Sequence, residues 1–407
     1  MSEQRLGQIV TFYSYKGGVG RSMALANVAV LLAQRGERVL AIDFDLEAPG
    51  LHRYFLRHDT PLGEGRYRPV TAQLGVIDFF HEFEARLRGL SPDPAADARD
   101  PMVTRQLTGE IVEALLDSEQ YLYRIAVADP NRAAVAAGEV SFMAAGRLDD
   151  AYASRVHDFD WRRFYARHGE ALEVFSEVLR RRYDWVLIDS RTGVADIASV
   201  CTVLLPDKLV LVFSPSEQAL EGALEIGRQA ARSRSGVEGR PRLALLPLLS
   251  RVEDGEEELK RAWVEKVGRR FSELYEPSDE QALRTYFHST RVPHRSYYAY
   301  GEWIAAEQQP TIEVGSLTEV FSRFIGYLEL STLAPPLNVP PEAPIPRIAA
   351  ILRDLLRFAS QDSSSPALQA EIYALRKELA ELYDAERVGR LKELLGSMSE
   401  PGPPTKK

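Results

Sequence analysis

The chain has 407 residues, of which 45% are hydrophobic and 27% charged, so it has room for one large α/β domain and a further segment. Its 50 basic and 59 acidic residues leave a net charge of −9, which argues against the basic field that binds DNA without sequence preference. The single cysteine, Cys201, excludes an internal disulfide and a thiolate zinc cage. Because the sequence shows no signal-peptide pattern and no apolar run of membrane-spanning length, we expect a cytoplasmic protein.

The first predicted element is a buried strand, because residues 9–13 are apolar, β-branched and aromatic. A glycine-rich loop over residues 15–22 follows, and residues 23–34 then place apolar side chains on one face of a helix. Such a loop presents backbone N–H groups and a positive dipole end to an anion, and phosphate suits that geometry best. Ser22 stands where its hydroxyl can reach a magnesium ion. The alternative is a glycine-rich turn without a ligand.

The loop sequence Lys16-Gly17-Gly18-Val19-Gly20-Arg21-Ser22 resembles the deviant Walker A motif, K-G-G-x-G-K-[ST], of MinD/ParA-type P-loop ATPases. This resemblance implies ATP and Mg²⁺ as cofactors and a homodimer in which Lys16 reaches the nucleotide of the partner subunit. Arg21 replaces the family's second lysine, and Tyr15 replaces an ordinary P-loop glycine. Arginine keeps the charge, but its planar fork differs from the point charge of lysine at the γ-phosphate. The residues expected to contact phosphate are Lys16, Gly17, Gly18, Val19, Gly20, Arg21, Ser22 and Gly193.

Two carboxylates follow the second predicted strand, residues 39–42. Asp43 and Asp45 leave the carboxyl end of this strand, which lies beside the nucleotide crevice of an open α/β sheet. They resemble the first switch of the family, which implies that Asp45 orients the attacking water and that Asp43 supports the magnesium ion. On this basis Lys16, Arg21 and Asp45 are the expected catalytic residues. The residues alone also allow a plain polar strand end.

A mainly helical insertion is predicted from residue 53 to residue 139. Apolar side chains recur at helical spacing near residues 76–90 and 111–116. The insertion can carry a partner surface, form a lid over the nucleotide or serve packing alone, and the residues leave these roles open. Residues 140–146 return to a strand pattern, and a long amphipathic helix is expected over residues 159–182.

A second motif follows that helix. Residues 185–188 form an apolar strand that delivers Asp189 to the same sheet edge, where a carboxylate can hold magnesium through water as a Walker B aspartate does. Gly193 resembles the family's second switch, which implies that its backbone N–H meets the γ-phosphate. Between them Arg191 can point at phosphate or pair with a surface acid. The residues expected at the metal are Ser22, Asp43 and Asp189.

Two further buried strands, residues 208–213 and 242–246, are followed by the predicted base-binding loops. Ser250 and Arg251 stand where relatives carry an Asn-Arg pair that reads the base, and residues 292–295 resemble the loop that packs on the nucleobase. For His294, the alternative to contact with the base is an ordinary histidine in an exposed loop. The expected base-binding residues are Ser250, Arg251, Pro293 and His294.

The alternating order of strands and helices predicts an α/β fold, with a mostly parallel twisted sheet and helices on both of its faces. We expect this P-loop NTPase domain to cover residues 1–330, apart from the insertion. Residues 331–347 predict a proline-rich linker, residues 348–398 a C-terminal helical extension, and residues 399–407 a disordered tail. From residue 367 onward the basic and acidic residues balance, which argues against a helix that binds anionic lipid.

The predicted function is that of a nucleotide-dependent homodimer that hydrolyses ATP slowly. Its nucleotide state would control an unidentified protein partner bound through the insertion or the C-terminal helices. The resemblance also implies a bacterial protein that acts in a defence or effector system. The alternatives are a non-hydrolysing ATP sensor or scaffold module, and a phosphotransferase on the same sheet, for which the sequence offers no acceptor-binding motif.

Overall fold

A computed structural model describes residues 6–56, 73–90, 101–118, 120–128, 136–191, 200–235, 242–275, 279–309 and 315–329. All of these residues belong to one compact unit. The predicted linker, C-terminal helices and tail lie outside the described residues, and so does Gly193.

The centre of the fold is a sheet of seven strands, counted over the described ranges. Its strands are β1 (Gln8–Tyr13), β2 (Val39–Phe44), β3 (Tyr123–Ala128), β4 (Ala136–Met143), β5 (Trp185–Ser190), β6 (Lys208–Phe213) and β7 (Ala244–Leu249). They lie in the order β3-β4-β2-β5-β1-β6-β7. Every neighbouring pair is parallel except β3 and β4, which are antiparallel. The predicted mostly parallel sheet is therefore confirmed.

Helices cover both faces of this sheet. In the described ranges they are α1 (Arg21–Gln34), α2 (His52–Phe55), α3 (Val76–Leu90), α4 (Pro101–Asp117), α5 (Tyr152–Asp158), α6 (Trp161–Arg182), α7 (Glu217–Ser235), α8 (Glu257–Ser272), α9 (Glu280–Thr290), α10 (Ala305–Gln308) and α11 (Leu317–Glu329). Along β2, Val39 and Ala41 pack into the core that contains α1, whereas Leu40 and Ile42 pack into a second core that contains α3, α4 and α6. Since side chains of a strand alternate between faces, the sheet separates two hydrophobic cores.

Part of the predicted insertion joins this architecture. Its helices α3 and α4 supply aromatic and aliphatic side chains to the second core; Phe79, for example, lies 5.2 Å from Phe175 of α6 between ring centroids. The segment also contributes β3, a sheet strand that the prediction of a mainly helical insertion did not include. Tyr123 and Ile125 are buried while Arg124 between them is exposed, which is the alternation of an edge strand with one covered face.

Candidate functional site

The carboxyl ends of three central strands bring the predicted site residues together. β5 lies between β1 and β2, so its carboxyl end has the loop after β1 on one side and the end of β2 on the other. Asp43 of β2 and Asp189 of β5 are register partners, and Phe12 of β1 is the partner of Asp189 on the other side. This edge of a parallel α/β sheet is where such folds bind ligands.

The glycine loop adopts a backbone that its glycines permit. Gly18 and Gly20 have φ values of 74° and 89°, in the left-handed region that side chains disfavour. Gly20 precedes the first turn of α1 and, as the N-cap residue, has no side chain that could cap the helix. Its first N–H groups therefore remain available to an anion. A Cβ on Gly20 would also lie 3.1 Å from the Ser250 hydroxyl, a tight contact that adds to the backbone strain of a substitution there.

Arg21 bridges two of the predicted site carboxylates. Its Nη2 donates to Asp45 Oδ2 at 2.8 Å, its Nε donates to Asp189, and its side chain is only 8% exposed. Burial opposes the charged guanidinium, but the charges of Asp189 and Asp45 outweigh it and hold the pKa of Arg21 above its usual value. The third nitrogen, Nη1, is buried and has no hydrogen-bond partner within the described residues. That donor remains available to a further acceptor, such as a phosphate oxygen.

Ser22 and Asp189 have the donor set that a magnesium ion takes. Ser22 Oγ donates to Asp189 Oδ2 at 2.5 Å, so a hydroxyl and a carboxylate lie side by side at the start of α1. Hard divalent cations bind such oxygens and complete their shell with phosphate and water. Within the described ranges, no cluster of three or more histidine, cysteine, aspartate or glutamate side chains has the arrangement of an all-protein metal cage.

Asp43 faces the backbone rather than this hydroxyl. Its two oxygens accept from the N–H groups of Asp45 at 3.2 Å and Leu51 at 3.1 Å. Burial, reinforced by the charge of Asp189, raises the pKa of Asp43 well above the usual range, and burial also raises the pKa of Asp189. The site thus gathers three carboxyl groups around one guanidinium, and a bound cation would favour the charged forms of these acids.

The segment directly after β2 is fixed at each of its first three residues. Arg21 holds Asp45, the hydroxyl of Tyr152 donates to the Leu46 carbonyl at 2.7 Å, and Arg191 forms an ion pair with Glu47. Of the two roles considered for Arg191, the structure has the one in which it pairs with a surface acid. No sequence signal pointed to Tyr152, because a tyrosine at the start of a helix distant in the chain belongs to no motif.

The four predicted base-binding residues lie in two adjacent segments. Val252 and Pro293 form an isolated parallel bridge, and the N–H of His294 donates to the Val252 carbonyl at 2.8 Å. Ser250 is fully buried at the end of β7, and its hydroxyl has no hydrogen-bond partner within the described residues. Arg251 is exposed with a left-handed φ of 57°, and the His294 side chain contacts Glu253 through Nδ1 at 2.5 Å. A role in base recognition stays a prediction.

The two remaining loop residues have contrasting surroundings. Lys16 is partly exposed and forms no ion pair or hydrogen bond within the part of the chain that the structure describes. The ring of Tyr15, by contrast, lies so close to Gly222 of α7 that a Cβ on this glycine would come within 2.2 Å of Tyr15 Cγ. The sequence offered no sign of this contact, because the two residues are far apart in the chain.

The chain is similar in sequence to known nucleotide-binding proteins. Residues 10–324, more than three quarters of the chain, match the profile of the family described as CobQ/CobB/MinD/ParA nucleotide binding domain (CbiA). The septum site-determining protein MinD of Helicobacter pylori is 53% identical over 38 residues, which are 9% of this chain and 14% of that protein.

Solved structures of similar proteins include the cell division ATPase MinD of Pyrococcus furiosus. It is 16% identical, with a TM-score of 0.45 over 79% of this chain and 100% of its own. MinD of Pyrococcus horikoshii, complexed with Mg-ADP, is 16% identical, with a TM-score of 0.44 over 80% of this chain and 98% of its own. The ParA protein of pNOB8 bound to nonspecific DNA is 14% identical, with a TM-score of 0.48 over 80% of this chain and 99% of its own.

Proposed function

The chain belongs to the CobQ/CobB/MinD/ParA nucleotide-binding family. From this membership we propose that it is an ATP-binding protein of the MinD/ParA type that hydrolyses ATP slowly, and that it is bacterial and cytoplasmic. The observation that carries the proposal is the site at the sheet edge. There an uncapped helix start, the Ser22 hydroxyl, the Asp189 carboxylate and the free Nη1 of Arg21 meet. A triphosphate with its magnesium ion supplies the anion and the cation that these groups lack.

In this proposal, tasks fall to the glycine loop, to Ser22 and Asp189, to Lys16 and Arg21, and to Asp45. The N–H groups of the loop bind the phosphates, and Ser22 and Asp189 hold the metal, which neutralises phosphate charge when bound. Lys16 and Arg21 stabilise the negative charge on the terminal phosphate, and Asp45 orients the water that attacks it. Isothermal titration calorimetry with ATP and Mg²⁺ tests the proposal, and no heat of binding would refute it.

We propose that ATP brings two copies of the chain together. Lys16 supports this, because it is a loop cation that no acid neutralises within the described residues. In a homodimer its ammonium would reach the nucleotide of the partner subunit. Light scattering should give a doubled mass for wild type with ATP and a monomer mass for Lys16→Ala. Lys266→Ala removes a surface lysine on α8 instead, and should dimerise like wild type. An unchanged wild-type mass with ATP would contradict the homodimer.

A non-hydrolysing ATP sensor is the second candidate, and the surroundings of Arg21 favour it. Two of its nitrogens are engaged by Asp45 and Asp189, which leaves one for phosphate. A phosphate-release assay separates the two functions. Turnover well above that of Asp45→Ala supports the ATPase, and turnover equal to that of the variant supports the sensor. In either case the nucleotide state would control a protein partner. Co-purification with and without a non-hydrolysable ATP analogue would identify that partner.

Among the helices in the described ranges, none combines the length and the hydrophobicity needed to cross a lipid bilayer.

A further inference from the structure

Three consecutive residues after β2 are anchored by three different segments of the chain. Arg21 of α1 holds the Asp45 side chain, Tyr152 of α5 holds the Leu46 carbonyl, and Arg191 after β5 holds the Glu47 side chain. Two of the anchors act on side chains, which can rotate while the backbone moves. Of these three anchors, the Tyr152 hydroxyl is the one that acts on the main chain, which Asp43 also holds one residue earlier by accepting from the Asp45 N–H.

The anchors differ in strength because they differ in burial. The side chains of Arg191 and Glu47 are 29% and 55% exposed, and an ion pair so open to water contributes little. Leu46, by contrast, is 2% exposed and Tyr152 is half-buried, so loss of the tyrosine hydroxyl would leave a largely buried carbonyl without its partner. The hydrogen bond from Tyr152 is therefore the stronger constraint on this backbone.

Tyr152 is itself held in place by the elements around it. A Cβ on Gly146 would lie 2.9 Å from Tyr152 Cε2, so the ring occupies space that only glycine leaves open. One helical turn later, Arg155 forms an ion pair with Asp78 of α3, at 3.0 Å from its Nε. Asp78 in turn accepts from the N–H of Arg147 at 2.7 Å. The hydroxyl therefore projects from a fixed scaffold rather than from a freely moving side chain.

We propose that Tyr152 is a positioning residue for the nucleotide site: its hydroxyl fixes the backbone at Leu46, and thereby keeps the Asp45 carboxylate against Arg21. Its effect on turnover rests on the proposed ATPase function, whereas its effect on the loop does not. The hydroxyl contacts neither nucleotide nor metal in this proposal. It acts through the peptide that follows Asp45, so its loss should disturb the orientation of the attacking water and leave the phosphate-binding loop intact.

The test is Tyr152→Phe, which removes one oxygen and keeps the ring. Tyr275→Phe is the matched control, because the Tyr275 hydroxyl also donates to a backbone carbonyl, that of Leu245, at 3.0 Å in a buried setting. Hydrogen exchange of the nucleotide-free proteins, read by mass spectrometry, should be about fivefold faster for the peptide that contains Asp45 in Tyr152→Phe, and unchanged in Tyr275→Phe. With ATP, kcat should fall about fivefold and KM should stay within about twofold.

Wild-type exchange at the Asp45 peptide in Tyr152→Phe would overturn the inference, and so would an equal increase in both variants. If exchange rises but kcat does not fall in an active enzyme, the hydroxyl orders the loop without positioning Asp45, which also overturns it. Failure of the wild type to bind or turn over ATP would refute the proposed function instead. The exchange experiment on the free protein would still decide whether Tyr152 holds the loop.

Discussion

Replacement of Arg21 by alanine should strongly destabilise the nucleotide-free protein. The guanidinium is the only cation that contacts both Asp45 and Asp189 within the described residues, and these side chains are 8% and 1% exposed. Removing one partner of a buried ion pair leaves a desolvated charge and costs about 3–5 kcal/mol. We expect the lower end, about 3 kcal/mol, because burial already raises the pKa values of Asp43 and Asp189, so that one of these groups can take up a proton once the guanidinium is gone.

Urea unfolding at pH 7 measures this loss, and the chain offers a matched control. Arg38 also donates through Nε and Nη2, although to the two oxygens of a single carboxylate, Asp184, at 3.1 and 2.7 Å, and its side chain is 53% exposed. Arg38→Ala should therefore cost no more than about 1 kcal/mol. Since a protein of this size loses about 3 kcal/mol per molar urea or more, the midpoint of Arg21→Ala should fall by up to about 1 M.

The reasoning fails if Arg21→Ala and Arg38→Ala lower the unfolding free energy by the same amount. It also fails if the deficit of Arg21→Ala does not shrink as the pH is lowered, because protonation of the buried carboxylates should remove the uncompensated charge. Arg21→Lys keeps the charge but cannot form two divergent hydrogen bonds from one rigid fork. Its stability should lie between wild type and the alanine variant.

Two further predictions concern the surroundings of the site. Gly222→Ala should weaken ATP binding at least about tenfold by calorimetry, because the new Cβ would displace the Tyr15 ring and the glycine loop with it. The control is Gly326→Ala, in a helix with open space around the glycine, which should bind ATP normally and gain up to about 1 kcal/mol of stability. Equal ATP affinities of the two variants would contradict this prediction. Burial and the neighbouring Arg53 lower the pKa of His52, although Glu302 opposes them. Its contribution to stability is therefore present above the unfolded value of about 6.5 and lost as the pH falls through the lower folded value. An NMR titration should give His52 a pKa below 6.5, and His52→Gln should lose less stability than wild type between pH 6.5 and 5; a pKa at or above 6.5 would refute the assignment.

Elements with a strong local signal could be predicted closely. The strand expected over residues 9–13 is β1 (Gln8–Tyr13), and the helix expected after the glycine loop is α1 (Arg21–Gln34). A run of apolar residues and a glycine loop are properties of adjacent residues, so they need no knowledge of the rest of the fold. The weaker alternation of β3 is ambiguous on sequence grounds, because an edge strand half exposed to water resembles a loop or a helix end.

The contacts of the site followed from no such local pattern. The motif predicts that Arg21 binds phosphate, yet its two partners in the structure are carboxylates at the ends of neighbouring strands. Arg191 allowed two partners on sequence grounds, and the structure selects Glu47. In each case the order of strands in the sheet decides which residues meet, and that order is a property of the whole chain.

The amino-acid sequence by itself determined that groups suited to phosphate and metal stand in the glycine loop and at the strand ends, because the glycines, Ser22 and the aspartates carry that chemistry in their own covalent structure. Tertiary structure alone decided how they are held: Arg21 between two buried carboxylates, Tyr152 on the Leu46 carbonyl, and Tyr15 against Gly222. These contacts join residues that are distant in sequence, and they form only when the parallel strands align their carboxyl ends and the helices pack across both faces of the sheet.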